Sequence, residues 1–326
     1  MADGAGMNLI ALAAATAGMG ALPIAAPASR AEPITAPGPQ GDLAGTWVRA
    51  RPGAPVVLII PGSGPTDRDG NSPLGLTAQP YRLLAEALAE RGIASVRIDK
   101  RGMFGSKAAM ADANAVTVND YAADVHAWIA AIRAKTGARC VWVAGHSEGG
   151  LVALAAAQHP AGMCGLVLIS APGRRLDVVM REQFHANPAN APVLSDADAA
   201  LDALAAGRDV DVSRMHPALQ QVFAPRVQGF LKSLFAADPA RLIAGYHGPV
   251  LIVQGDRDLQ VSLADAEALH KAQPRATLAV VPGVNHVLKM VASDDRAANL
   301  ATYGDASLPL APGVAEAIAG FVTTVR

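Results

Sequence analysis

The run Val141-Trp142-Val143-Ala144-Gly145-His146-Ser147-Glu148-Gly149-Gly150-Leu151-Val152-Ala153-Leu154 decides how this chain is to be read. Its first four residues are uninterruptedly apolar, as expected of a short strand buried on both faces. After Gly150 the chain is apolar again to Ala157 and ends in Gln158, a length that suits a buried helix. Between the two segments, three glycines flank one serine. A chain that turns from strand into helix in so few residues crowds its own backbone, so positions beside the turn residue leave no room for side chains. Gly145-x-Ser147-x-Gly149 therefore sets a serine hydroxyl on a sharp turn at the end of a buried strand.

The same alternation extends outward. Val56–Ile60 is a wholly apolar run ended by Pro61-Gly62, and Leu43–Ala50 reads as an earlier hairpin strand beside it. Tyr81–Arg91 carries Leu83, Leu84, Ala87 and Leu88 at helical spacing and stops at Gly92. Ile93–Ile98 is the next strand. A helix over Asp120–Lys135 follows, with Val125, Trp128, Ile129 and Ile132 on one face. Leu166–Ile169, Val250–Val253 and Thr277–Val281 repeat the strand pattern, and Val314–Val325 closes the chain as a helix. Strands alternating with helices predict βαβ units and a mostly parallel, doubly wound sheet, an α/β fold. Residues 173–247 interrupt the alternation. Helical patches at Asp196–Ala206 and Pro217–Phe235, broken by prolines, read as a helical cap inserted in a core formed by 43–172 and 248–326.

Composition narrows the function. The chain has 326 residues, 51% hydrophobic and 17% charged, with a formal net charge of −1. So little positive charge argues against a nucleic-acid binder, which needs a basic stripe to neutralise phosphates. The apolar excess raises the question of a membrane span, and the first residues answer it. No charge falls between Gly4 and Ser29, but the apolar run extends only from Leu9 to Leu22 before Pro23 and Pro27. That length matches the core of a signal peptide, with small-residue sites at Ala26-Pro27-Ala28 and Ser29-Arg30-Ala31. Residues 1–31 are accordingly read as a removable leader and 32–42, with Pro33, Pro37 and Pro39, as a linker. The expectation is a periplasmic or secreted protein with no stable span in the mature chain. An Ala/Pro-rich tail on a cytoplasmic protein is the alternative. Cys140 and Cys164 each open a predicted strand. If those strands are parallel neighbours, a disulfide between them is possible, with two buried thiols equally open.

Taken together, the serine turn and its strand–helix setting resemble the α/β-hydrolase superfamily. The loops Gly62-Ser63-Gly64-Pro65-Thr66-Asp67-Arg68-Asp69-Gly70-Asn71 and Arg97-Ile98-Asp99-Lys100-Arg101-Gly102 are similar to those of its serine-aminopeptidase-like and acyl-esterase branches. The resemblance runs from about residue 43 to the end, apart from the cap, and implies an α/β-hydrolase fold and a Ser…Asp…His chain order. Ser147 is then the nucleophile. A Gly-x-x-Asp pattern after Val250–Gln254 maps the acid to Asp258, with Asp256 as runner-up. His286, after Pro282-Gly283-Val284-Asn285, is the base. The backbone N–H of Glu148 supplies one oxyanion donor. The loop after Val56–Ile60 supplies the other, with Pro61 in the place of a family histidine. That puts the donor at Ser63, with Gly64 as the fallback.

The implied activity is hydrolysis of a small-molecule carboxylic ester through an acyl-enzyme, with no cofactor. Two rivals stand beside it: an aminopeptidase or amidase using Asp177, Glu182, Asp196 or Asp198 to hold a substrate ammonium, and a triad-bearing binding protein with little turnover. His126, His159, His185, His216, His247 and His270 show no metal-ligand spacing. Asp67, Arg68 and Asp69 either line the site or form a charged turn, and Lys100-Arg101 reads as a solvated pair, with attraction of an anionic substrate as the alternative. Oligomeric state is left open.

Overall fold

A computed structural model describes residues 31–112 and 114–325. Its centre is an eight-stranded sheet: β1 (Ala31–Pro37), β2 (Asp42–Val48), β3 (Val56–Ile60), β4 (Ala94–Ile98), β5 (Val141–His146), β6 (Met163–Ile169), β7 (Val250–Gly255) and β8 (Thr277–Val281). The spatial order is β1-β2-β4-β3-β5-β6-β7-β8. β3 to β8 run parallel to their neighbours, while β1 and β2 are antiparallel additions at one edge. This is the mostly parallel sheet of the α/β-hydrolase fold.

The apolar runs are continuous because both faces of the sheet are covered. Along β3, Val56, Leu58 and Ile60 enter one core with Val125, Trp128, Ile129 and Ile132 of helix α2, whereas Val57 and Ile59 enter the opposite core. The second core is filled by α1 (Leu84, Leu88) and the C-terminal helix (Val314, Ile318, Val322). The helices are α1 (Pro80–Glu90), α2 (Val118–Thr136), α3 (Glu148–Ala156), α4 (Leu176–His185), α5 (Leu194–Ala205), α6 (Pro217–Val222), α7 (Pro225–Ala236), α8 (Pro239–Gly245), α9 (Leu263–Ala272), α10 (Arg296–Ala301) and α11 (Val314–Thr324). None of the described helices is long and apolar enough to cross a membrane.

Between β6 and β7 lie α4 to α8, with no strand among them. Leu201, Leu204, Leu219, Phe223, Leu231 and Phe235 give this insertion a hydrophobic cluster of its own, joined to the rest of the molecule through Val118 and Leu151. The helical patch over 217–235 is divided at Pro225, which begins α7 where its missing N–H costs nothing.

Two expectations at the N-terminal edge are corrected. The leader reading lies outside the described residues except for Ala31. The segment read as a proline-rich linker instead begins with β1, paired residue by residue with β2 from Ala31↔Val48 to Pro37↔Asp42. Proline is tolerated there because an edge strand leaves alternate N–H positions unpaired, while Ile34 and Ala36 point inward and are buried. β2, in turn, pairs with β4 and not with β3. The two cysteines are joined: Cys140 and Cys164 form a disulfide, with 5.1 Å between Cα atoms, across the parallel neighbours β5 and β6.

The topology fixes where a ligand can be met. From β3 the chain passes to β4 on one side, and from β5 it passes to β6 on the other. β3 and β5 are adjacent, so their C-terminal loops diverge and leave a crevice, the usual ligand position in an open α/β sheet. Ile60 pairs with Gly145, and this brings the loop after β3 beside Ser147.

Candidate active site

Ser147 is the pivot between β5 and α3. Its backbone, at φ 54 and ψ −126, is strained for a residue with a side chain. The flanking glycines make the turn possible by what they lack. A Cβ on Gly145 would lie 2.1 Å from the Gly149 carbonyl oxygen, and one on Gly149 would lie 2.5 Å from that of Ile60. The serine stays partly exposed in an otherwise buried stretch. Among the described residues its hydroxyl has no hydrogen-bond partner.

Two of the predicted partners are brought together. His286 Nδ1 lies 2.8 Å from Asp258 Oδ2, and both side chains are buried. Asp258 Oδ1 accepts the N–H groups of Gln260 and Val261 at 2.8 and 2.9 Å. Burial alone would raise this carboxyl, but the opposing pull of His286 and these hydrogen bonds holds it below the usual carboxylate range. Asp258 is therefore ionised at neutral pH and fixes the proton of neutral His286 on Nδ1, which leaves Nε2 bare. Asp256, the runner-up, is used elsewhere, since its carboxylate accepts the Gly283 N–H at 2.6 Å and closes the turn after β8. The loop carrying His286 is tied down by buried Asn285, whose Nδ2 donates to Thr302 Oγ1 at 2.7 Å and whose Oδ1 accepts the Lys289 N–H at 3.0 Å.

The predicted oxyanion donors are both free. The N–H of Glu148 opens α3 and that of Ser63 lies in the loop after β3. Neither has an acceptor among the described residues, whereas the neighbouring Gly62 N–H is taken up by the Tyr81 hydroxyl at 3.0 Å. A free N–H at the start of a helix, next to a serine, is the kind of donor that can stabilise developing negative charge.

Tyr81 and His146 were not legible as site residues, yet they connect its parts. His146 Nε2 faces the His286 carbonyl oxygen at 2.8 Å, so it carries the proton. Nδ1 is then an acceptor, and the Tyr81 hydroxyl donates to it at 2.9 Å while accepting from Gly62. One directed chain thus runs from the loop after β3 to the backbone of His286. Burial, and then the proximity of His286, push His146 down to about 3, which keeps it neutral. A histidine beside a turn serine and a tyrosine opening a helix carry no periodic signal of such a chain.

The Lys100-Arg101 expectation is overturned. Both residues are buried, at 5% and 6% exposure. Arg101 grips Asp124 of α2 through two contacts of 2.7 Å and also reaches Asp120. Lys100 Nζ donates to the Gly62 carbonyl at 2.7 Å and lies 3.4 Å from Glu148 Oε1. The Asp67–Asp69 stretch forms a turn in which Asp67 accepts the N–H groups of Asp69 and Asn71. Its Arg68 pairs with Asp99 and its Asp69 with Arg97. The charged side chains after β4, Asp99, Lys100 and Arg101, are therefore answered by partners from other segments and do not face solvent.

Of the carboxylates suggested for binding an ammonium, Glu182 is held by Arg174, Asp177 by Arg175 and Asp198 by Arg181, whereas Asp196 is exposed and has no cation partner among the described residues. No group of three or more His, Cys, Asp or Glu among the described residues is arranged to hold a metal ion. A hollow of about 590 Å³ between α2, α3, α7 and α8 is lined by His126, Gln158, His159 and Ser233 but by none of the predicted site residues.

Comparison with known proteins agrees with the architecture. The family model described as serine aminopeptidase, S33, matches residues 74–290. Among solved structures, Rv0554 from Mycobacterium tuberculosis superposes with a TM-score of 0.54 at 17% identity, covering 90% of this chain and 100% of that one. The Pyrococcus furiosus esterase Pf2001 gives 0.53 at 16% identity over 79% and 83% of the two chains. Est1E from Butyrivibrio proteoclasticus gives 0.51 at 18%, over 83% and 94%. At these identities the likeness is one of fold. No curated protein matches the chain in sequence.

Proposed function

We propose that this chain, which belongs to the serine aminopeptidase S33 family of α/β-hydrolases, cleaves small carboxylic esters through an acyl-enzyme on Ser147. The observation that carries the reading is the buried Asp258–His286 hydrogen bond, reached from the strained, partly exposed Ser147 turn through the adjacent His146, whose ring centroid lies 4.7 Å from that of His286. In the proposed cycle, His286 Nε2 takes the proton of Ser147 Oγ as the oxygen attacks the ester carbonyl. Asp258 stabilises the imidazolium that forms. The N–H groups of Ser63 and Glu148 receive the negative charge that moves onto the carbonyl oxygen. His286 then protonates the departing alkoxide, and water repeats the sequence to release the acid.

An ester is favoured over an N-terminal amide because three of the four carboxylates available for an ammonium are already neutralised by arginines. On this reading the insertion of α4 to α8 is a cap that shapes the acyl pocket. The disulfide supports an oxidising compartment, hence export.

Hydrolysis of p-nitrophenyl butyrate by S147A tests the assignment. Turnover should fall by about 10⁴-fold or more with the fold intact, and unchanged turnover would sink it. D258N should lower kcat by a factor on the order of 10³–10⁴, whereas D256N should act chiefly on stability. An amino-acid p-nitroanilide assayed beside the ester separates the aminopeptidase alternative.

A further inference from the structure

Lys100 touches the peptide unit that carries one free N–H donor and the side chain of the residue that carries the other. Its ammonium donates to the Gly62 carbonyl oxygen at 2.7 Å. It lies 3.4 Å from Glu148 Oε1 and 5.6 Å from the centroid of the Tyr121 ring. Lysine and glutamate are both nearly solvent-free, with side-chain exposures of 4% and 3%.

The identity of the acceptor matters more than the burial. The Gly62 carbonyl and the Ser63 N–H belong to one peptide unit. A cation on the oxygen draws electron density through the amide and makes the N–H a stronger donor, as hydrogen bonds in series polarise one another. The same contact fixes the tilt of that peptide plane. On the other side, Glu148 places a carboxylate on the very residue whose N–H is the second donor. A bare carboxylate there would oppose the negative charge forming on the substrate oxygen, and Lys100 offsets it.

We propose that Lys100 is a positioning residue that sets and polarises the oxyanion hole, holding the Ser63 donor through the Gly62 carbonyl and neutralising the carboxylate beside the Glu148 donor. The inference rests on the acyl-enzyme reading and adds to it a group whose effect appears only when the substrate oxygen becomes charged. Removing it should therefore lower kcat and leave ester binding nearly intact.

The experiment compares wild type with K100Q and with the double variant K100M/E148Q, in which no buried charge is left unpaired and the Glu148 backbone N–H remains. For p-nitrophenyl butyrate, kcat should fall about 10- to 100-fold in both variants, with KM within about twofold. Inhibition by an aryl trifluoromethyl ketone, which forms a charged tetrahedral adduct on serine, should weaken by a similar factor. Binding of butyramide, an uncharged analogue of the acyl group, serves as the reference for general damage to the pocket. The proposal is overturned if kcat stays within twofold of wild type in either variant that folds. It is equally overturned if ketone and butyramide affinities fall together. A fluorophosphonate probe on wild type and S147A keeps the two levels apart. If Ser147 is labelled and hydrolysis depends on it while the Lys100 variants are unimpaired, only the inference falls. If Ser147 is neither labelled nor required, the acyl-enzyme reading falls and takes the inference with it.

Discussion

The turns after β5 and β4 lie on either side of β3, both at C-terminal ends of parallel strands, yet they are built by opposite means. After β5, Gly145 and Gly149 keep space empty so that the backbone can pass within contact distance of itself, and Ser147 absorbs the strain. After β4, Asp99, Lys100 and Arg101 fill the space with charge. Each is less than a tenth exposed, and each is answered by a residue from elsewhere: Arg68, the Gly62 carbonyl with Glu148, and Asp124. The first turn is determined by steric demands within a few residues of chain. The second exists only when four separate segments have come together. A local constraint leaves a motif in the sequence, whereas a distributed one leaves ordinary charged residues.

The largest expected effect tests the steric half. G149A places a methyl group against the Ile60 and Pro61 carbonyl oxygens, with no flexible neighbour to yield. Urea unfolding should report a loss of about 4 kcal/mol or more, which for a domain of ordinary stability leaves little folded protein. A variant as stable as wild type would mean that the turn is looser than its contacts imply.

Next comes the charged half. R101M strands the buried Asp124 carboxylate and should cost about 3 kcal/mol in the same measurement, whereas R101M/D124L should recover most of that loss. If the double variant is no better than the single one, packing around the guanidinium, not charge pairing, holds that turn.

The smallest effect concerns His146, which belongs to the steric turn in sequence but is held by tertiary partners. Its folded value, about 3, lies below the ordinary histidine value of 6.5. Below that ordinary value the unfolded chain binds a proton that the folded one refuses. The stability contributed by neutral burial is complete above about pH 6.5 and is lost as pH falls toward 3. In urea titrations between pH 4 and pH 6, wild type should therefore lose stability more steeply than H146Q, by at most about 1.4 kcal/mol per pH unit. Parallel slopes would show that His146 is already charged in the folded protein.

Individual elements show why some of the molecule was legible. The β3 and β5 runs are apolar because both sheet faces are covered, and that demand is written residue by residue in Val56–Ile60 and Val141–Ala144. Asp258 and His286 followed from the α/β-hydrolase resemblance, whose Ser…Asp…His order places each after a recognisable strand. Their pairing brings together side chains 28 positions apart. β1 was misread because its prolines suit a linker as well as they suit an edge strand, and only its pairing with β2 distinguishes the two. Tyr81 only marked the start of an amphipathic helix, and nothing nearby in sequence indicates that its hydroxyl bridges Gly62 and His146.

By itself the sequence determined the alternation of strands and helices and the serine on its turn, whereas the acid and the histidine came from the family resemblance that this turn carries. The alternation and the turn are set by forces acting along the chain: burial of contiguous apolar runs, and crowding of a backbone against its immediate neighbours. The tertiary structure alone decided which aspartate meets His286, which N–H groups remain without acceptors, and that Lys100 and Arg101 are sealed inside. Those outcomes depend on the energy of a charge or polar group removed from water, and that energy is set by the partners the fold brings to it.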